Sequence, residues 1–246
     1  MEQTHQLIGE LAAVIGGAGS RQDGYRQAAR AVAGDATALE RMLDTVASDR
    51  ALAGRIAADS TWHPNGFAKL NLHRHDAPHF RLRLHVWPGE DLAPTEPECS
   101  NIHNHRWDFA SVVLAGGIHI DEYEETTDFA DPKTVPCRRY SYESAEGSPF
   151  GRLHAQGTAA LRLIGRYDYE PADTHACATT TLHTVVPFDW RFTATLVVQG
   201  PDQSDAALVY QRLHRQAVED TGLRLTTYEV TRLADMTLTE MAAARV

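Results

Sequence analysis

Two textures meet near Ser60. Before it, apolar residues recur every three or four positions, as in Leu7, Leu11 and Val14 and again in Leu39, Met42, Leu43 and Val46, among Ala, Arg, Glu and Gln. This spacing lays an apolar stripe along a helix, so residues 1–60 are expected to form a helical segment packed on the rest of the molecule. Thr37 with Glu40 three residues on has the form of a capping box, and Asp35 is a second candidate cap.

From about Phe67 the period changes to two. Phe80-Arg81-Leu82-Arg83-Leu84-His85-Val86 alternates strictly until Pro88-Gly89-Glu90-Asp91 breaks it. Strands are expected at about 109–114, 117–124, 137–143, 158–169, 183–187 and 192–199, with further candidates at 207–213 and 222–231, and a short terminal helix at 236–245. The polar stretch 125–157, dotted with Pro and Gly, reads as a long loop or a hairpin insertion. Many short strands with turn signals between them favour a closed β-barrel or sandwich over alternating strands and helices. The expected organisation is therefore a helical segment at 1–60 and a barrel at 61–246.

Composition narrows the function classes. Hydrophobic residues make up 43% and charged residues 23% of 246, an ordinary globular balance. Lys and Arg number 23 against 33 Asp and Glu, a net charge of −10, and Lys69 and Lys133 are the only lysines. No basic run offsets that sign, so nucleic acid and anionic membrane surfaces are poor partners. Cys99, Cys137 and Cys177 are odd in number and form no Cys-x-x-Cys, which suits buried free thiols in a reducing compartment. Leu11 to Ala18 is too short and Gly-rich for a signal segment and follows Glu2 and Glu10, and no run reaches the ~20 apolar residues of a membrane span. A cytoplasmic location is the expectation.

The chemistry concentrates at Ile102-His103-Asn104-His105-Arg106-Trp107-Asp108-Phe109. On extended backbone, side chains two apart share a face roughly 6.6 Å apart along the chain, so His103 and His105 can converge on one ion through bonds of ~2.1 Å. A third ligand must come from another strand. His183, flanked by apolar Leu182 and Val185, is the leading candidate, and His175 after Pro171-Ala172-Asp173 is its rival. The competing reading is two hydrogen-bonded or surface histidines, since 13 histidines produce some such pairs by chance.

From Phe80 onward the chain resembles the cupin superfamily, and within it the thiol dioxygenases typified by cysteine dioxygenase and mercaptopropionate dioxygenase. The matching order is His85-Val86-Trp87-Pro88-Gly89, then Ile102-His103-Asn104-His105, Val112-Val113-Leu114 with Gly116, Tyr123, Leu182-His183-Thr184-Val185, and Thr195-Leu196-Val197-Val198-Gln199-Gly200-Pro201. The resemblance spans about residues 67–230 and implies a mainly β fold, a cupin double-stranded β-helix barrel with N-terminal α-helices. It also implies Fe(II) held by His103, His105 and His183, with positions left for O2 and a chelating substrate.

Three departures qualify it. The Ser-x-His-x-Tyr set of cysteine dioxygenases is replaced by Thr195-Leu196-Val197-Val198-Gln199. Ala110 stands where many cupins carry a metal-binding Glu or cysteine dioxygenases a Cys, and Asp108 has the wrong offset to substitute for it. The stretch between His105 and His183 is longer than the family usually has. A cysteine dioxygenase proper is therefore not expected.

For substrate contacts, Arg81, Arg83 and His85 share one face of their strand. Facing inward, Arg81 or Arg83 would clamp a carboxylate; the favoured reading is that they are solvated or packed against helices. Lys69 falls within one residue of the carboxylate-binding Arg of cysteine dioxygenases and is a further candidate cation. His73, His75 and His79 read as a loop, and Trp87 and Trp107 as core rather than cavity wall. The expected function is a mononuclear non-haem Fe(II) oxygenase acting on a small anionic or thiol-bearing metabolite, as a monomer or homodimer. The alternatives are a Zn- or Ni-dependent (or other divalent-metal) isomerase, lyase or hydrolase, and a non-catalytic small-molecule-binding cupin.

Overall fold

The computed structural model describes residues 2–89, 101–144, 151–188, 191–213 and 223–244. Four helices open the chain: α1 (Glu2–Gly17), α2 (Arg21–Gly34), α3 (Thr37–Ser48) and α4 (Arg50–Asp59). Strands come next as β1 (Thr61–His63), β2 (Phe67–Asp76), β3 (His79–Trp87), β4 (Ile102–His103), β5 (Phe109–Ala115), β6 (Ile118–Thr126) and β7 (Thr134–Ser144). They continue as β8 (Gly151–Tyr169), β9 (Thr174–Cys177), β10 (Leu182–Pro187), β11 (Thr193–Gln199) and β12 (Ala206–Arg212), and α5 (Thr227–Ala243) ends the order. The mainly β class with N-terminal helices is borne out. The strand pairings are antiparallel and form two sheets, one in the order β1-β2-β3-β11-β5-β9 and the other closing on itself as β10-β4-β12-β7-β8-β6.

Helix starts obey local polar chemistry, with one correction. Ser20 caps α2 by accepting from the Asp23 backbone N–H at 3.2 Å, and Asp49 caps α4 by accepting from Ala51 and Leu52. No capping box forms at Thr37. Ala36 occupies the cap of α3, and the Asp35 carboxylate accepts from the Thr37 backbone N–H at 2.9 Å, the donor that the Glu40 side chain was expected to serve, while the Glu40 N–H donates to the Ala36 carbonyl.

The first sheet is amphipathic, and its apolar face points outward beneath the helices. Leu82, Leu84 and Val86 of β3, Val112 and Leu114 of β5, and Leu196 and Val198 of β11 join Tyr25, Leu39, Leu43 and Leu233 in the largest core. α2 lies on β5, and α5 packs against α3 and α4. This corrects the expectation for β3. With the apolar set covered by helices, period two turns Arg81, Arg83 and His85 to the other side, which is the cavity wall, so Arg83 is buried there and Arg81 partly buried.

Three other expectations change. His73 and His75 lie within β2, and His79 begins β3, so these histidines sit on a strand hairpin instead of a loop. The described residues of the candidate strand 222–231 hold no strand longer than an isolated bridge at Arg224: α5 starts at Thr227, because Thr226 and Glu229 form a reciprocal capping box and Val230, Leu233, Ala234, Thr237 and Met241 make one buried stripe. The described residues of the stretch 125–157 pair as the hairpin reading expects, β7 with the first part of β8, while the last part of β8 pairs with β6; 145–150 lie outside the described residues. Gly116, at φ 71° between β5 and β6, is held to glycine by more than its conformation, since a Cβ there would lie 2.3 Å from the Phe192 carbonyl oxygen.

Cys137 and Cys177 are buried free thiols, whereas Cys99 and the segment Asp91 to Ser100 lie outside the described residues. No described helix is long and apolar enough to cross a membrane.

Candidate metal centre

The two sheets enclose a cavity of about 700 Å³, a size suited to a small molecule. The closed sheet supplies its histidines. His103 on β4 is the direct register partner of His183 on β10, and β4 is held on its other side by Val209 of β12. Between the two close histidines of the motif, Asn104 clamps the chain: its backbone N–H donates to the Leu208 carbonyl at 3.1 Å and its side-chain oxygen accepts from the Leu208 N–H at 2.6 Å. This anchoring fixes the segment that carries His105 just beyond β4.

One ligand atom from each of His103, His105 and His183 lies within 4.8 Å of the others. Ring centroids are 4.8 Å apart for His103 with His105 and with His183, and 5.1 Å for His105 with His183. Three nitrogens bound tetrahedrally to one ion at ~2.1 Å sit about 3.4 Å apart, a separation these rings reach through small side-chain rotations.

The donor set fits a divalent metal in protonation as well as in position. The Nδ1 atoms of His103 and His183 lie 2.7 Å and 3.3 Å from the Asn101 and Thr181 carbonyl oxygens. A carbonyl only accepts, so each Nδ1 carries the proton and Nε2 keeps its lone pair for an ion. Burial pushes the His103 imidazole below its ordinary value and those of His105 and His183 well below it, with neighbouring imidazoles adding to the latter two, so the neutral, ligating form is favoured. The thiol of Cys177 is 3.5 Å from His183 Nδ1, and burial pushes it up to about 12, so it remains protonated.

His105 is fixed by aromatic neighbours. Trp107 stacks on it at 5.5 Å and 28°, and Phe109 meets it edge-on at 5.0 Å. Trp107 is half-buried and lines the cavity, which corrects its expected role as simple core, whereas Trp87 is buried as expected, 3% exposed, and also borders the cavity. Asp108 makes no approach to the histidines; its carboxylate accepts from the Thr179 backbone N–H at 2.9 Å. His175 is on β9 opposite Ser111 of β5, outside the group of three, and burial holds its pKa at about 4.

The candidate cations line the same cavity from the first sheet: Lys69 on β2, and Arg81 and Arg83 on β3. Arg83 is the most deeply placed of them, only 8% exposed. Its Nε donates to Asn71 Oδ1 at 2.8 Å, and its guanidinium lies 5.3 Å from the centre of the Trp107 ring. Asn71 is itself tied to the end of α4, its backbone N–H donating to Ser60 Oγ and its side-chain amide to the Asp59 carbonyl. Burial, with Arg81 nearby, pulls Arg83 down to about 9, and it forms no ion pair among the described residues. Arg106, whose guanidinium lies 5.4 Å from the centre of the same ring, is paired with Asp202 at 3.2 Å.

Sequence reasoning missed Asn71, Ser111 and Gln199 as cavity residues. Each was legible as a polar position in period two with apolar neighbours facing the other way, as in Ala68, Lys69, Leu70 and Asn71, once the covered face was known.

No protein-family model matches the chain, and no curated protein does. Solved structures do resemble it in part. A hydroquinone 1,2-dioxygenase from Sphingomonas sp. TTNP3 is 12% identical with a TM-score of 0.30, over 54% of this chain and 65% of its own. A structure of DMSP lyases gives 12% identity and a TM-score of 0.30 over 56% of this chain and 49% of its own. A sugar phosphate isomerase described as a cupin-superfamily protein, from Silicibacter pomeroyi, is 18% identical with a TM-score of 0.31 over 67% of this chain and 83% of its own. The chain spans less than two thirds of the length of the first two.

Proposed function

We propose that the protein is a mononuclear metal enzyme of the cupin type, in which His103, His105 and His183 hold Fe(II) and the cavity binds a small anionic or thiol-bearing metabolite for oxidation by O2. The observation that carries this reading is the convergence of three neutral imidazoles at a cavity whose other wall bears a buried arginine with no carboxylate partner among the described residues.

A ferrous ion in this set would supply O2 activation and coordination positions for a substrate sulfur or oxygen. The protein's own residues do the rest. Three imidazoles bring no negative charge, so a divalent ion keeps its full charge and favours an anionic ligand. Arg83, oriented by Asn71 and placed 5.3 Å from the centre of the Trp107 ring, binds the substrate's carboxylate, and Lys69 and Arg81 add positive potential along the same wall. Phe67, Trp87 and Trp107 exclude water around it. Among the described lining residues the only carboxylate is that of exposed Asp59, so the neutral imidazoles of His63, His85 and His175 are the cavity's candidate proton acceptors.

Imidazole donors suit zinc and nickel as well, and this keeps a non-redox lyase or isomerase as the second reading. The test is O2 consumption by anaerobically iron-loaded protein across a panel of small thiol and hydroxy carboxylates, beside zinc-loaded protein. Uptake with at least one substrate, dependent on iron and lost in His103→Ala, supports the oxygenase. Turnover with zinc and none with iron supports the second reading.

A further inference from the structure

The wall of the cavity facing the histidine cluster carries buried polar groups on five residues that make no hydrogen bond among the described residues. These are His85 Nε2 and Trp87 Nε1 on β3, both amide atoms of Gln199 on β11, Ser111 Oγ on β5 and His175 Nδ1 on β9. Four adjacent strands of one sheet thus contribute, β3 with two residues and the others with one each. Gln199 is 0% and Ser111 1% exposed, and all five residues line the cavity.

Register sets them around Arg83. Val197 lies opposite both Arg83 and Ser111, Ser111 lies opposite His175, Gln199 opposite Arg81 and Phe109, and Thr195 opposite His85. Buried polar atoms are nearly always paired, because an unmet donor or acceptor loses its hydration without recompense. Here the unmet atoms belong to residues that line one cavity from neighbouring strands, which marks this part of the wall as built for something that enters the cavity.

Their chemistry defines the entrant. An amide, a hydroxyl, an indole N–H and two imidazoles offer donors and acceptors together, and burial keeps both imidazoles neutral, His175 at about 4 and His85 well below its ordinary value. A carboxylate or phosphate is better served by Arg83 beside them. We infer that this part of the wall is a second substrate subsite taking an uncharged group that both donates and accepts, a hydroxyl or a carboxamide, on a molecule whose carboxylate rests on Arg83. The inference rests on the anion-binding part of the proposed function and deepens it: the substrate is a small carboxylic acid with a second, neutral polar group, and Gln199 and Ser111 determine that specificity.

The test uses protein as purified, handled anaerobically, and monitors quenching of its tryptophan fluorescence. The probes are unsubstituted monocarboxylates of about three to about six carbons and their ω-hydroxy and ω-carboxamide counterparts. The expected result is that at one chain length the substituted acid binds at least about tenfold more tightly than its parent. Gln199→Leu and Ser111→Ala each remove that preference while leaving the parent acid's affinity within about twofold, and neither lowers the melting temperature of the ligand-free protein, because no internal hydrogen bond is lost. Equal binding of substituted and parent acids by the natural protein overturns the subsite while leaving the anion reading in place. Failure to bind any carboxylate overturns both. A Gln199→Leu or Ser111→Ala protein that unfolds or melts well below the natural one shows these groups paired internally and overturns the subsite as well.

Discussion

His103 and His183 stand directly opposite each other on β4 and β10, their ring centroids 4.8 Å apart, although one belongs to a short motif and the other to a distant strand. The pairing makes the two imidazoles a product of sheet register, so their convergence does not require an ion to be present during folding. His183→Ala is therefore expected to fold and to lose stoichiometric metal, whereas His175→Ala, at the strand position opposite Ser111 on the other wall, is expected to keep it. Elemental analysis with circular dichroism on both variants checks this; full metal in His183→Ala and none in His175→Ala would make His175 the third ligand.

Arg83 owes its orientation to Asn71, which accepts from its Nε at 2.8 Å. Replacing Asn71 with Ala removes an acceptor to a charged donor, a contact generally worth roughly 1.5–3 kcal/mol. Carboxylate probes should then bind about tenfold or more weakly, and Arg83→Met should abolish their binding while leaving metal content intact. Titration calorimetry with a small carboxylate reads both. Unchanged affinity in Arg83→Met would place the anion elsewhere, on Lys69 or Arg81.

Acid should destabilise the metal-free protein before any carboxylate titrates. His175 has a folded value of about 4 against an unfolded value near 6.5. Between these the unfolded chain binds more protons, so stability falls as pH drops from about 6.5 to about 4 and is unaffected by this residue above that window. The slope is about 1.4 kcal/mol per pH unit for one such imidazole. Burial depresses His63, His85, His103, His105 and His183 in the same direction, and each steepens the fall. Urea unfolding at pH 7.5 and 5.5 measures it, and His175→Phe should flatten the slope by one proton. Equal stability at the two pH values would mean that these rings are solvated in the folded protein.

The last helix depends on its cap. Thr226 accepts from the Glu229 backbone N–H at 3.2 Å, and the Glu229 carboxylate accepts from the Thr226 N–H at 2.7 Å and from Trp62 Nε1 at 3.0 Å. Thr226→Ala should cost about 1 kcal/mol, and Glu229→Ala more, because it also strips a partner from the buried Trp62. Thermal melts rank the two; a smaller loss for Glu229→Ala would show that water replaces the carboxylate at Trp62.

Much of this architecture was legible in the chain, and the failures share a cause. The period-two runs located most strands, and the apolar flanks of His183 correctly suggested a wall position. Period two says that Arg81, Arg83 and His85 share a face, yet it is silent on which face is wet. That depended on helices covering Leu82, Leu84 and Val86 from outside and leaving a cavity within. At Thr226-Thr227-Tyr228-Glu229-Val230-Thr231 the β-branched residues argued for a strand, and a capping box together with a buried helical stripe overrode that weak propensity. Gln199 drew notice only for standing where a family pattern has its Tyr, and its place in the period-two run became informative only once the covered face was known.

The most direct measurement of the central claim is the metal content per chain, by elemental analysis, of protein purified without added metal and then dialysed. One equivalent of a divalent transition metal in the natural protein, falling to background in His103→Ala and in His183→Ala with the fold retained, is the expected result. A natural protein that holds no metal and takes up none from added Fe(II), Zn(II) or Ni(II) would contradict the account.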